Sequence, residues 1–238
     1  MPDPLTILLV VLAALIGTVA AWYGLGILVR SACDARARRS TVGRDRIMLT
    51  YDDGPGRTVT PELLDLLREH ETRATFFLIG RSAEQAPELV ERLAAEGHTI
   101  GWHTQTHRNQ WKVDPIRGLA DVWRPRGLLA SGATRVTVFR PPYGKMTLGT
   151  VLAALARRLP ILTWTHVSGD THEVLPNPAS IAARVERDRG GVVLMHDMDR
   201  PDEARPAFVL ELTRHLIELA RRRHWELATP CEAPEIRG

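Results

Sequence analysis

The sequence predicts an α/β protein, a distorted (β/α) barrel of about seven parallel strands behind one N-terminal transmembrane helix. Three observations point to it. From Arg46 onward, short apolar runs alternate with amphipathic segments, the pattern of strands joined by crossover helices. The reactive side chains fall at or just beyond the carboxyl ends of those runs, which in a barrel is the single face where the loops converge. Ahead of them, Leu5 to Val29 is 25 residues without a charge.

That apolar stretch is long enough, at about 1.5 Å per residue, to cross a hydrocarbon core of about 30 Å. A secretory signal peptide would carry a basic leader and a shorter apolar core, whereas Met1-Pro2-Asp3-Pro4 holds no Lys or Arg. Arg30 stands where a lipoprotein signal ahead of Cys33 wants an aliphatic residue. An uncleaved single-pass anchor is therefore expected. Arg30, Arg36, Arg38, Arg39, Arg44 and Arg46 all follow it and none precedes it, which by the positive-inside rule places the large domain on the cytoplasmic side. The domain limits expected are an anchor over 1–30, a basic linker over 31–45, a catalytic domain over 46–230 and a tail over 231–238. The linker reads either as lying near anionic headgroups or as a solvated tether.

A length of 238 residues suits an anchor plus one domain of ordinary size. The net charge of +3 comes without an aromatic-interleaved basic patch, so a nucleic-acid partner is not expected. Cys33 and Cys231 form neither a metal-type spacing nor a disulfide framework.

Within the domain the expected strands are Ile47–Tyr51, Thr75–Ile79, His98–Trp102, Val136–Phe139, Ile161–Trp164, Val192–His196 and Trp225–Ala228. Between them lie helical patterns over Pro61–His70, Pro87–Glu96, Thr147–Leu159, Pro178–Asp188 and Pro206–Arg223. Thr60-Pro61 and Asn177-Pro178 each set a capping side chain before a proline whose missing N–H costs nothing in a first turn, and Gly97 closes the second helix. The stretch Lys112 to Gly132 contains Pro115, Gly118 and Pro125, so a helix over Pro115–Ala130 is expected to be broken and to loop over the site.

The reactive positions begin at Asp52-Asp53-Gly54-Pro55. Neighbouring side chains on a strand point to opposite faces, so adjacent carboxylates at a strand end can separate, one to a metal and one to a proton. An ordinary Asp-Gly turn has the same sequence. His103 and His107 follow the third strand. If that segment enters a helix, residues four apart share a face and two imidazoles reach one ion, and with a carboxylate they form a zinc set with an open position. Arg140, Asp170 and His196 fall at the ends of three further strands. His98, His166, His172 and His224 have no partner at useful spacing and read as surface or structural. Trp102, Trp111 and Trp123 read either as sugar-stacking or as core residues.

Five motifs in order, Thr50 to Pro55, His103 to His107, Arg140-Pro-Pro-Tyr-Gly144, Trp164 through Asp170, and Val193-Leu-Met-His196, resemble the polysaccharide deacetylase family (the NodB homology domain, carbohydrate esterase family 4). The resemblance covers roughly Arg46 to Ala228. It implies that Asp53, His103 and His107 bind a divalent ion, zinc or a similar metal, and that Asp52 is the general base toward the attacking water. It further implies that Arg140 orients Asp52, that the backbone N–H of Tyr143 stabilises the oxyanion, and that His196, supported by Asp170, is the general acid. Leu194 would line the pocket for the acetyl methyl. The chain departs from the family at Val167, where members often carry an aspartate, and at Thr171, where they often carry a tryptophan. The expectation is a hydrolase of N-acetyl groups on an amino sugar, in a membrane-linked or cell-wall glycan. A deformylase or other amide hydrolase of the same fold, or a non-catalytic sugar-binding scaffold, are the alternatives.

Overall fold

The computed structural model describes residues 2–123, 136–230 and 232. Seven parallel strands, β1 (Arg46–Asp52), β2 (Thr75–Leu78), β3 (Thr99–Trp102), β4 (Val136–Phe139), β5 (His166–Val167), β6 (Gly190–His196) and β7 (Glu226–Leu227), form one sheet in the order β4-β3-β2-β1-β6-β5. β1 is the centre. β6 pairs with it along its whole length, while its other edge is shared by β7 at the start and β2 at the end.

The segment over 160–168, which includes β5, joins β4 to β6. Leu162 N–H donates to the Phe139 carbonyl on β4 at 2.9 Å, and Thr165 and Ser168 donate to Val192 and Leu194 on β6 at 3.0 and 3.1 Å. This corrects the expected strand over Ile161–Trp164, of which only Ile161 bridges Phe139. A segment that must cross from β4 to β6 cannot run beside either for long.

Alternation along the strands sorts side chains into two environments. Ile47, Leu49 and Tyr51 of β1, Phe76 and Leu78 of β2, and Val193 and Met195 of β6 join the larger cluster beneath the helices. Met48, Phe77, Val138, Leu162 and Val192 form a second cluster on the other side of the strands. Asp52 shares the parity of Met48, and His196 that of Val192, so both site residues extend the second, inner row.

Helices α2 (Val59–Glu69), α3 (Gly80–Gln85), α4 (Pro87–Ala95), α5 (Pro115–Trp123), α6 (Leu148–Ala156), α7 (Pro178–Arg187) and α8 (Ala204–Arg223) follow α1 (Pro4–Thr41). Asn177 caps α7 as its sequence predicts, its Oδ1 accepting from Ala179 N–H at 2.8 Å. α2 begins at Val59, so Thr60 lies inside it and is not a cap. α3 was not foreseen, since six residues are too few to display a period. The remainder of the expected broken helix, with Pro125, Ala130 and Gly132, lies outside the described residues, as does Cys231 with nearly all of the tail.

The larger correction concerns the linker. α1 is one continuous helix of 38 residues that runs through most of the stretch expected to be a linker, as far as Thr41. Its last turns pack onto the domain. Ala37 joins the inner cluster and Thr41 is fully buried. Arg44 and Asp45 follow, their N–H groups donating to the Arg189 carbonyl at 3.2 and 3.0 Å, just before β6. The basic residues from Arg36 onward therefore lie beside the amino ends of the strands.

Candidate active site

β1 ends in two carboxylates that part company. Asp52 keeps the inward parity of its strand, whereas Asp53 takes a left-handed backbone with φ 72° and turns its side chain across the strand ends. Both are nearly buried, at 3% and 8% exposure. Ionised groups persist at such depth only when paired.

Asp52 is paired with Arg140, whose side chain is fully buried. One guanidinium nitrogen, Nη1, donates to Asp52 Oδ1 at 2.7 Å and to Thr50 Oγ1 at 2.9 Å. Nε and Nη2 donate to the carbonyls of Leu162 and Thr163 at 3.1 and 3.2 Å. The group also lies 4.0 Å from the centre of the Phe77 ring. Burial pulls its pKa down, but a guanidinium remains charged throughout the working range. Arg140 thus fixes one oxygen of Asp52 and leaves the other, Oδ2, 3.8 Å from His103 Nε2.

Asp53 Oδ1 lies 3.3 Å from His103 Nε2 and 3.0 Å from His107 Nε2. His103 Nδ1 is 2.7 Å from the Arg140 carbonyl, which only accepts, so Nδ1 carries a proton and Nε2 is the ring atom turned toward Asp53. The two histidines reach this point by a route that the sequence did not suggest. The segment is a loop and not a helix, with Thr104 at φ 69° and His107 at φ 56°. Left-handed backbone at non-glycine residues is costly and gathers at functional sites; Tyr143, at φ 56°, is another case in this same cluster. Asp121 holds the loop, accepting from Thr106 N–H at 2.8 Å and Arg108 N–H at 3.2 Å.

Charge in this pocket is mutually adjusted. Burial opposes ionisation of Asp53, yet the close approach of His103 and His107 outweighs it and holds the carboxyl well below the usual range. Burial likewise opposes a charged His103, and Asp52 and Asp53 overcome it and raise the imidazole. The point between them favours positive charge. Asp53 Oδ1 is buried with no hydrogen-bond donor, and it lies with one nitrogen of each histidine within 4.8 Å of one another. One carboxylate oxygen left without a donor and two imidazole nitrogens at this spacing fit a divalent cation.

On the opposite flank, His196 Nε2 lies 4.0 Å from Asp53 Oδ2. Its Nδ1 donates to Asp170 Oδ1 at 2.9 Å, and its backbone N–H donates to Asp170 Oδ2 at 2.8 Å. Ser168 Oγ donates to the same carboxylate at 2.9 Å. Burial works against the charged imidazole, but Asp170 wins and the pKa is pushed up to about 9. Leu194, 6% exposed, sits two residues back on the same strand face. The Tyr143 ring lies 4.7 Å from that of His107 and is largely exposed. Val167 and Thr171 are both exposed, so neither supplies an inner wall.

All nine residues singled out for the site, Asp52, Asp53, His103, His107, Arg140, Tyr143, Asp170, Leu194 and His196, lie at or just before the carboxyl ends of the strands or in the loops beyond them. Trp102 is core, with Nε1 donating to the Val122 carbonyl at 2.8 Å, while Trp111 and Trp123 are partly exposed. His98 and His166 are buried and structural; His172 and His224 are exposed. Sequence reasoning missed Thr50, Asp121, Ser168 and Asp197. Asp197 is wholly buried, accepts from Thr60 Oγ1 at 2.6 Å and presses on Gly54. Thr50 had a signal, a polar residue at inward parity on an apolar strand; the others had none beyond adjacency to a motif.

The polysaccharide deacetylase family profile matches residues 39–161. A peptidoglycan-N-acetylglucosamine deacetylase of Bacillus cereus is 34% identical over 151 residues, which is 63% of this chain and 55% of that one. The chain thus spans about half the length of that relative. A chitooligosaccharide deacetylase of Sinorhizobium fredii is 33% identical over 168 residues, covering 69% of this chain and 78% of the relative. Among solved structures, a family 4 carbohydrate esterase from Streptomyces lividans in complex with acetate superposes with a TM-score of 0.68 at 26% identity, over 79% of this chain and 95% of that one.

Proposed function

This chain belongs to the polysaccharide deacetylase family, and on that footing we propose that it hydrolyses the N-acetyl group of an amino sugar in a membrane-linked or cell-wall glycan. The observation that carries this reading is the convergence of Asp53, His103 and His107 on one point, with Asp52 and His196 on either side of it.

Asp53, His103 and His107 would hold a divalent cation, and the one-carboxylate, two-imidazole set suits zinc. Such an ion supplies a Lewis acid for the amide carbonyl and lowers the pKa of a water. The rest is the work of the chain. Asp52, its Oδ1 fixed by Arg140, accepts the proton of the attacking water on Oδ2. The Tyr143 backbone N–H donates to the oxygen on which charge develops. His196 enters as imidazolium and delivers its Nε2 proton to the departing amine, with Asp170 fixing the ring through Nδ1. Leu194 bounds the space for the acyl methyl. The apolar part of α1 anchors the enzyme as a single-pass membrane protein, and the arginines after it support a cytoplasmic position for the domain.

The test is acetate release from an acetylated chitooligosaccharide by the full chain, beside Asp52→Asn. Release that depends on Asp52 supports the reading. No release from any acetamido sugar, or equal release by the variant, overturns it.

A further inference from the structure

The anchor accounts for the exposed apolar start of α1 but not for residues 22–41, which are built into the domain. Trp22 packs against Gly149 at the start of α6. The Tyr23 ring meets the edge of Trp111 at 6.2 Å. Gly26 lies directly on the Met146 backbone, where any Cβ would collide, so glycine is required there. Arg30 Nη1 donates to the Gly144 carbonyl at 3.1 Å, and its guanidinium lies 4.3 Å from the centre of the Trp164 ring. Gly144 has φ 63° and no room for a side chain beneath that guanidinium. Gly144 follows Tyr143 beyond the end of β4, whereas Thr41 lies beside Gly190 at the start of β6. α1 therefore descends the barrel from the catalytic face to the opposite face. Its wholly exposed residues, up to Ala21, project beyond the catalytic face.

At about 1.5 Å per residue, Arg30 stands about 14 Å along the helix from Ala21. The surface between them is of the kind found at a membrane boundary. Trp22, Tyr23 and Trp111 cluster there, with Lys145 Nζ 4.1 Å from the centre of the Trp111 ring. Four residues after Trp111 the chain enters α5, on which Ile116, Leu119 and Trp123 are 82%, 43% and 44% exposed. Their spacing of three and four residues puts them on one face. A soluble domain rarely turns an apolar helical face outward beside a membrane helix without something covering it.

We propose that the catalytic face rests against the bilayer, with α5 and Trp111 at its surface, and that the substrate is an acetamido sugar carried on a membrane lipid. This rests on the deacetylase reading above. It follows from the docked half of α1, which fixes the direction in which the site opens. A substrate anchored in the same bilayer then meets the site at high effective concentration, while a polymer held well away from the membrane does not reach it.

The full chain is reconstituted in phospholipid vesicles containing a synthetic glycolipid with an N-acetylglucosamine headgroup, and a soluble acetylated chitooligosaccharide is offered in parallel. A variant carries a helical insert of about eleven residues between Ala21 and Trp22, three turns or roughly 16 Å, which lifts the domain while keeping the helix register. A second variant is Ile116→Glu. We expect glycolipid turnover to fall at least about tenfold in both variants, as lost effective concentration predicts, with soluble turnover unchanged. Equal glycolipid turnover in wild type and both variants would overturn the membrane-facing arrangement while soluble activity keeps the deacetylase reading intact. Absence of turnover on both substrates in wild type would instead remove the deacetylase reading and the inference resting on it.

Discussion

Asp52 and His196 are register partners, closing an unbroken run of pairings between β1 and β6 that begins at Arg46 and Gly190. Two groups proposed to move protons in opposite directions are thus held by neighbouring strands of one sheet. Each has its own buried partner, Arg140 for the first and Asp170 for the second. The separation of their roles comes from those partners: Arg140 occupies one oxygen of Asp52, while Asp170 favours the charged imidazole of His196.

Asp52→Asn removes the proton acceptor but none of the proposed ligands. Acetate release is expected to fall by about 10²- to 10⁴-fold, the usual worth of a general base, with metal content unchanged by elemental analysis. A variant that retains wild-type kcat would take Asp52 out of the chemistry.

Asp53→Ala and His103→Ala each delete a donor from the cluster. Both are expected to lose bound metal and activity together, and chelation of wild type should match them, with recovery on adding back zinc. Full metal occupancy in Asp53→Ala would place the ion elsewhere.

The alkaline limb of the pH profile follows from His196. Its folded pKa of about 9 lies above the ordinary 6.5, so the imidazolium is present at neutral pH and activity falls as pH rises through about 9. The same shift contributes stability that is complete below about 6.5 and lost as pH rises toward 9. In Asp170→Asn the fall in kcat/KM should move to lower pH; an unmoved limb would mean that another group titrates there.

His98 has the opposite sign and lies away from the site. Burial drives its pKa down from 6.5 to about 4, and its Nδ1 accepts from Ala74 N–H at 3.2 Å, which favours the neutral ring. The unfolded chain takes up the proton first, so stability is complete above pH 6.5 and declines as pH falls toward 4, by about 3 kcal/mol. His98→Asn keeps an acceptor without the titration. Denaturant melts should show a smaller loss between pH 6.5 and 4 than in wild type.

Arg140→Leu leaves Asp52 buried without its cation, a change worth about 3–5 kcal/mol. Adding Asp52→Asn removes the stranded charge and should recover part of that loss. An additive double variant would show that the two side chains are not coupled.

The sequence by itself determined the alternation of strands and helices, the long apolar N-terminal segment, and which residues sit at strand ends, because period and adjacency are local properties. It also carried the five ordered motifs that resemble the family. Three things were decided only by tertiary structure. His103 and His107 converge through left-handed turns at Thr104 and His107 and not through helical spacing, and nothing in a residue's name announces such a backbone. The segment over 160–168 gives up most of its strand pairing because it must reach both β4 and β6. The second half of α1 is part of the domain, since its contacts to Gly144, Met146 and Gly149 lie more than a hundred residues away along the chain. Local pattern fixes most of the strands and helices, whereas long-range packing fixes how the segments between them run and where α1 docks.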